Sequence, residues 1–140
     1  MTWRGALARL WALPCSLVGS LLALAVVALG GRARWRHGAL EVTYRERLAD
    51  CGARAGTLPF RGIVFGHVIL AVTAEELRHI GAHERVHVRQ YERWGLLFFA
   101  AYPLCSLWQW LQGRRPYLDN PFEVEARMKG DGRRGGHASA

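Results

Sequence analysis

The sequence predicts an α+β fold: a short antiparallel sheet and one helix dense in functional groups, preceded by one transmembrane helix. Three observations predict it. Leu10–Leu29 carries no charge over 20 residues, the length of a bilayer-spanning helix. Between Ala39 and Val72 lie two runs with the alternation and β-branched content of strands. From Thr73 the pattern becomes helical, opened by a capping signal and closed by a glycine.

Taken in order, the first element is the apolar run. Arg4 and Arg9 precede it, and Arg32, Arg34 and Arg36 follow. A cleaved signal peptide is the rival, with Ala28 and Gly30 as small residues before a cut. The downstream arginines oppose export and favour an uncleaved anchor, whose orientation stays open because both flanks are basic. "ALEVTYRE" places Leu40, Val42 and Tyr44 on one face, a half-buried strand. Arg45 to Cys51 reads as a short helix. Phe60 to Val72 reads as a strand in which Gly62 and Gly66 mark a bulge or a close backbone approach.

"TAEE", Thr73 to Glu76, is a capping box. The helix it starts is expected to break at Gly81, which costs about 1 kcal/mol relative to alanine, and to resume as far as Trp94. Gly95 to Leu111 is apolar, with Pro103 near its middle. After a polar loop, Asn120 is a suitable N-cap and Pro121 a suitable first helical residue. The tail from Gly130 has the composition of disorder. The expected organisation is an anchor with a basic flank over 1–38, a domain over 39–129 and a disordered tail over 130–140.

The chain has 140 residues, enough for one small domain. Basic residues outnumber acidic ones 19 to 11, and all but Lys129 are arginine. The arginines are spread along the chain with no nucleic-acid-binding motif around them, so anionic lipid is the better partner for the charge. Cys15, Cys51 and Cys105 are odd in number and widely spaced, which argues against a disulfide framework or a thiolate zinc site.

The chemistry concentrates in His83-Glu84-Arg85-Val86-His87. Residues four apart on a helix differ by about 40° and rise about 6 Å, so His83 and His87 project side by side and can share one zinc ion. Glu84 lies on the shoulder of that face, placed to act as general base toward a zinc-activated water. His79 lies one step earlier on the same face, but about 12 Å from His87 along the axis, so it reads as a polar residue near the site. Sites of this kind take a carboxylate as third ligand. The carboxylates downstream are Asp119, Glu123, Glu125 and Asp131.

His83-Glu84-x-x-His87 followed at a distance by Glu123-Val124-Glu125-Ala126 resembles the gluzincin metallopeptidases, including their small minigluzincin-like and membrane-anchored members. The resemblance covers about Phe60 to Arg127. It implies a small zincin-like domain in which an edge strand pairs with an extended substrate. It also implies that Glu123 is the third zinc ligand and that peptide bonds are hydrolysed. Arg127 stands where such families often place a supporting aspartate. Glu123 has a second possible role, as the third helical residue of a capping box begun by Asn120.

A shared ion constrains the segment between the ligands. If Gly95–Leu111 crossed a bilayer once, His87 and Glu123 would emerge on opposite sides. The segment is therefore expected to fold back at Pro103, lie in the interface, or pack as a core hairpin arm. Three functions remain open: a membrane-associated zinc peptidase, a non-catalytic zinc-stabilised membrane protein, and an adaptor whose histidines bind nothing. Tyr91, Tyr117 and His67 are the candidates for stabilising a transition state.

Overall fold

The computed structural model describes residues 3–44 and 62–131, and the side chains of 5–44 and 62–130. The expected helix over 45–51 and the tail beyond residue 131 lie outside the described residues. Among the described residues the fold is α+β, with four strands in one sheet and five helices. In chain order these are α1 (Trp3–Trp11), α2 (Leu13–Ala28), β1 (Arg32–Arg36), β2 (Ala39–Thr43), β3 (Gly62–Phe65), β4 (Val68–Ala71), α3 (Ala74–Trp94), α4 (Leu97–Leu111) and α5 (Pro121–Asp131).

The sheet runs β1-β2-β4-β3, and it is mixed rather than antiparallel because β2 and β4 pair in parallel. Phe60–Val72, expected as one strand, is a hairpin. Gly66, at φ +59°, opens the two-residue turn between β3 and β4. A left-handed residue at the first central position is what such a turn requires. The β1–β2 turn has both central residues left-handed, His37 at φ 51° and Gly38 at φ 81°, as a type I′ turn does. β1 itself occupies part of the expected basic flank.

Both faces of β2 and β4 are covered, whereas β1 is exposed throughout; this corrects the expectation of a half-buried strand at Ala39–Thr43. Leu40, Val42, Val68 and Leu70 pack with Ala23 and Val26 of α2. Ala39, Val64 and Ile69 face the other way, toward Val88 and Tyr91 of α3 and Phe98 of α4. The side chain of Glu41 is therefore buried despite its charge.

Leu10–Leu29 was expected as one spanning helix. Among the described residues no single helix is long and apolar enough to cross a membrane; α1 and α2 meet the length and composition together, but bent by 62°. The break is at Ala12, next to Leu13 and Pro14. α2 then lies on the sheet because its inward row is small: Cys15, Gly19 and Ala23 are buried. A Cβ on Gly19 would sit 2.7 Å from the Val68 Cβ. Ser16 secures the contact at the β3–β4 turn. Its hydroxyl accepts the His67 backbone N–H at 3.0 Å and lies 3.0 Å from His67 Nδ1, while His67 Nε2 lies 3.1 Å from Glu92 of α3.

α3 does not break at Gly81. It runs 21 residues from its Thr73 cap, whose hydroxyl accepts from the Glu76 N–H at 3.1 Å, to Gly95. Gly81 is buried, and packing against the sheet and α5 outweighs the small propensity cost. α4 likewise does not fold back at Pro103. It is one helix of 15 residues, about 22 Å long, and forms a hairpin arm after the Gly95 turn. The chain after α4 returns so that Asn120 meets α4: its side-chain N–H groups donate to the Tyr102 carbonyl at 3.0 Å and the Ser106 hydroxyl at 2.8 Å.

Candidate metal centre

Two helices build the site. α3 supplies His83, Glu84 and His87, and α5 supplies Glu123. The helices approach closely at Gly130, where a Cβ would stand 2.9 Å from His83 Cα and N. α5 starts at Asn120, which is fully buried and caps through Oδ1 to the Phe122 N–H at 3.0 Å. That cap does not use Glu123. The Glu123 side chain turns inward, is 2% exposed, and accepts the Tyr102 hydroxyl at 2.6 Å on Oε1.

The three side chains form a triangle, with each Glu123 oxygen facing one imidazole. His83 Nε2 lies 3.1 Å from His87 Nε2, His83 Nε2 lies 3.2 Å from Glu123 Oε2, and His87 Nε2 lies 3.3 Å from Glu123 Oε1. A tetrahedral zinc ion bound at about 2.0–2.1 Å would set its donors about 3.3–3.4 Å apart. Glu123 Oε2 is buried and, although 3.2 Å from His83 Nε2, has no well-aligned hydrogen bond among the described residues. A buried carboxylate oxygen left unsatisfied is costly, and a cation beside two imidazole nitrogens removes that cost. By spacing, burial and donor chemistry, these residues fit the ion.

The outer partners orient the ligands. His87 Nδ1 lies 2.8 Å from Gln90 Oε1. The Gln90 amide is fixed by its other bonds, since Nε2 donates to the Phe122 carbonyl at 3.0 Å and to Glu125 Oε2 at 2.8 Å. Gln90 Oε1 therefore accepts the His87 Nδ1 proton, leaving the Nε2 lone pair directed at the triangle. Glu123 and Glu125 leave α5 on different faces, one toward the histidines and one toward Gln90.

The electrostatics follow from the crowding. Burial pushes the Glu123 carboxyl up, but the adjacent His83 and His87 imidazoles and the Tyr102 hydroxyl outweigh it and hold the group well below the usual carboxylate range. Burial pushes His87 down, and the bond and charge of Glu123, with help from Glu84 and Gln90, reverse this and raise it. Glu84 is raised, chiefly because burial disfavours its charge, and Glu123 adds to the effect.

A cleft of about 750 Å³ opens over the triangle, bounded by β3, α3, α4 and Tyr117–Leu118. Among the described strands β3 is an edge of the sheet, and Gly62 on it faces Glu84: a Cβ there would lie 3.0 Å from Glu84 Oε1. Phe65 of β3 meets Phe99 of α4 at a ring separation of 6.1 Å.

The other sequence-level candidates separate clearly. His79 lines the cleft but pairs with Glu75 at 2.9 Å, away from the triangle. Tyr91 is buried against Phe98 and Phe99. His67 belongs to the α2 contact. Tyr117 lines the cleft; partial burial and the neighbouring Glu123 charge push its hydroxyl up to about 12. Arg127 stands at the cleft rim and donates to the Leu118 carbonyl, and the side chain that orients His87 is Gln90. Sequence reasoning missed Gln90 and Tyr102. Gln90 follows His87 by three residues, on the same helix face, and that spacing was the available signal. Comparison with family models, curated proteins and solved structures finds no match to the chain.

Proposed function

We propose that the chain is a zinc-dependent peptidase working at a membrane surface. His83, His87 and Glu123 hold the ion and Glu84 acts as general base. The observation that carries this reading is the triangle of donors, 3.1–3.3 Å on each side, at the floor of an open cleft and next to a buried carboxylate. Bound zinc supplies a Lewis acid that polarises a carbonyl and makes water acidic enough to lose a proton near neutrality.

The chain's residues do the rest. Glu84, raised by burial, accepts the proton from the attacking water and passes it to the leaving amine. Gln90 keeps His87 in the tautomer that presents Nε2. Tyr102 holds one oxygen of Glu123. The outer edge of β3 offers backbone groups to an extended peptide, as in strand addition. Gly62 lets β3 approach Ile80 and Glu84 closely, since a Cβ there would lie 2.6 Å from Ile80 Cδ1. Ile80, Phe98, Phe99 and Leu118 line the cleft, which favours apolar side chains next to the scissile bond. This arrangement supports a zincin-like plan of the gluzincin kind.

The membrane part rests on what the helices expose. Leu17, Leu21 and Leu24 on the outer side of α2 are 57%, 69% and 67% exposed, and Leu104, Trp108 and Leu111 on α4 are 62%, 60% and 64%. Large exposed apolar patches mark an interaction surface. Phe65 of β3 packs with the α2-side cluster and meets Phe99 of α4 at the cleft, so both apolar helices adjoin the cleft wall, which supports substrates presented near a bilayer.

The test is metal analysis of purified protein together with turnover of an apolar peptide library. The wild type is expected to carry one zinc per chain and cleave peptides; Glu84→Gln keeps the zinc and loses cleavage. Zinc retained with no wild-type turnover would instead favour a non-catalytic zinc-stabilised protein, and no zinc at all would favour an adaptor.

A further inference from the structure

A second cleft, of about 440 Å³, lies at the opposite edge of the sheet, between β1, β2 and the first half of α3. The strand register builds it. Arg32 pairs with Thr43, Arg34 with Glu41 and Arg36 with Ala39. Alternation puts these three arginines on one face, the face turned away from α2. From α3, Arg78 and Arg85 line the same cleft. Its one lining carboxylate among the described residues is Glu41, which lies 3.7 Å from Arg85, while Arg78 is held by Glu75. Among the described residues no carboxylate pairs with Arg34 or Arg36. Among the described residues the cleft therefore carries excess positive charge, with the arginine backbone positions set about 7 Å apart along the strand.

We propose that this arginine cleft binds a phosphate group, and that its source is the headgroup of an anionic lipid. Guanidinium forks match phosphate oxygens in pairs. The lipid source follows from the position of the cleft. β1 begins four residues beyond the end of α2, past Leu29, which is 89% exposed. On the reverse face of β1, Trp35 pairs with Leu40 of the α2-side cluster and is 66% exposed. Tryptophan on the apolar side and arginine on the other is the arrangement found at headgroup depth. The lipid source rests on the proposal that the outer side of α2 meets a bilayer. The phosphate site itself rests only on the register and the charge.

The test is co-sedimentation of the full, zinc-loaded chain with two kinds of vesicle, phosphatidylcholine alone and phosphatidylcholine mixed with phosphatidylglycerol. The mixed vesicles are expected to bind more protein, with an excess that shrinks as salt rises. R34A/R36A should lose that excess, about fivefold per arginine, with binding to neutral vesicles and zinc content unchanged. R133A/R134A, which removes equal charge elsewhere in the sequence, should keep it. Equal loss in both double variants, or none in R34A/R36A, overturns the proposal. If inorganic phosphate in the millimolar range removes the excess, the cleft serves a soluble anion and the lipid source is overturned. If a single-stranded oligonucleotide displaces the protein at lower phosphate concentration than inorganic phosphate does, the cleft belongs to nucleic acid. Failure to bind neutral vesicles strikes the reading of the α2 face, while the response to phosphatidylglycerol still reports on the arginines.

Discussion

α2 and α3 lie on opposite faces of the same sheet and are built in opposite ways. α2 turns Cys15, Gly19 and Ala23 inward and exposes its leucines. α3 buries Glu84, His87 and Gln90 and exposes arginine. In water the usual order is large apolar side chains inside and charge outside. α2 breaks the first half of that rule and α3 breaks the second, each for its own reason. A helix with its bulk outside is matched to an apolar surrounding. A helix with polar groups inside needs something to satisfy them, and for α3 that is Glu123, Gln90 and, on the proposed reading, an ion.

The comparison can be broken most sharply on the α3 side. Glu123→Ala removes the only ligand that α5 supplies, and zinc should fall to background in elemental analysis; α5 should also loosen, seen as faster amide exchange over 121–131. The next effect is at Gln90. Gln90→Leu keeps the volume but leaves the His87 Nδ1 proton without its acceptor, so zinc affinity should drop about 10–100-fold in a competition titration with a chelator. Retained affinity would mean that the His87 orientation comes from packing alone.

On the α2 side the expected effects are smaller and of another kind. Gly19→Val forces a side chain against Val68 and the Phe65 carbonyl. It should cost about 1–3 kcal/mol by overpacking, measured by denaturation in detergent. Leu21→Ser, on the outward side, should change stability by less than about 0.5 kcal/mol while weakening binding to neutral vesicles. If Leu21→Ser destabilises as much as Gly19→Val, the outer face is packed rather than lipid-facing.

How much of this was legible in the sequence differs between the two helices. The spacing of His83, Glu84 and His87 is set by helix geometry alone, so the functional face of α3 could be read directly. Asn120 and Pro121 marked the start of α5. Pairing across helices could not be read, because Gln90 and Tyr102 meet partners from distant segments through contacts that leave no periodic trace. The hairpin at Gly66 was hidden inside a continuous β-rich run. The parallel pairing of β2 with β4 depends on chain topology rather than on pattern. α2 looked like a span because hydropathy counts side chains; the inward row of small residues, at a spacing of four, was the local sign that it rests on a surface.

Acidity supplies a further contrast, between the metal-free and the loaded protein. His87 is raised above 6.5, so its stabilising contribution is complete below that pH and is lost as pH rises through its folded value. Glu84, raised above 4.5, acts in the same direction. Glu123 is lowered, so its contribution is present above 4.5 and is lost on acidification. The metal-free protein should therefore be more stable near pH 6 than near pH 9, by chelator-treated denaturation. Zinc should reverse that order, because its ligands must be deprotonated, and loading should fall as pH drops below about 6.

The most direct measurement is X-ray absorption at the zinc edge on the purified full-length chain. The proposed centre predicts one zinc with two imidazole nitrogens at about 2.0–2.1 Å and carboxylate or water oxygens completing the shell, and Glu123→Gln should weaken or abolish the signal. A protein without stoichiometric zinc, or a zinc shell that is unchanged when Glu123 is replaced, would contradict it.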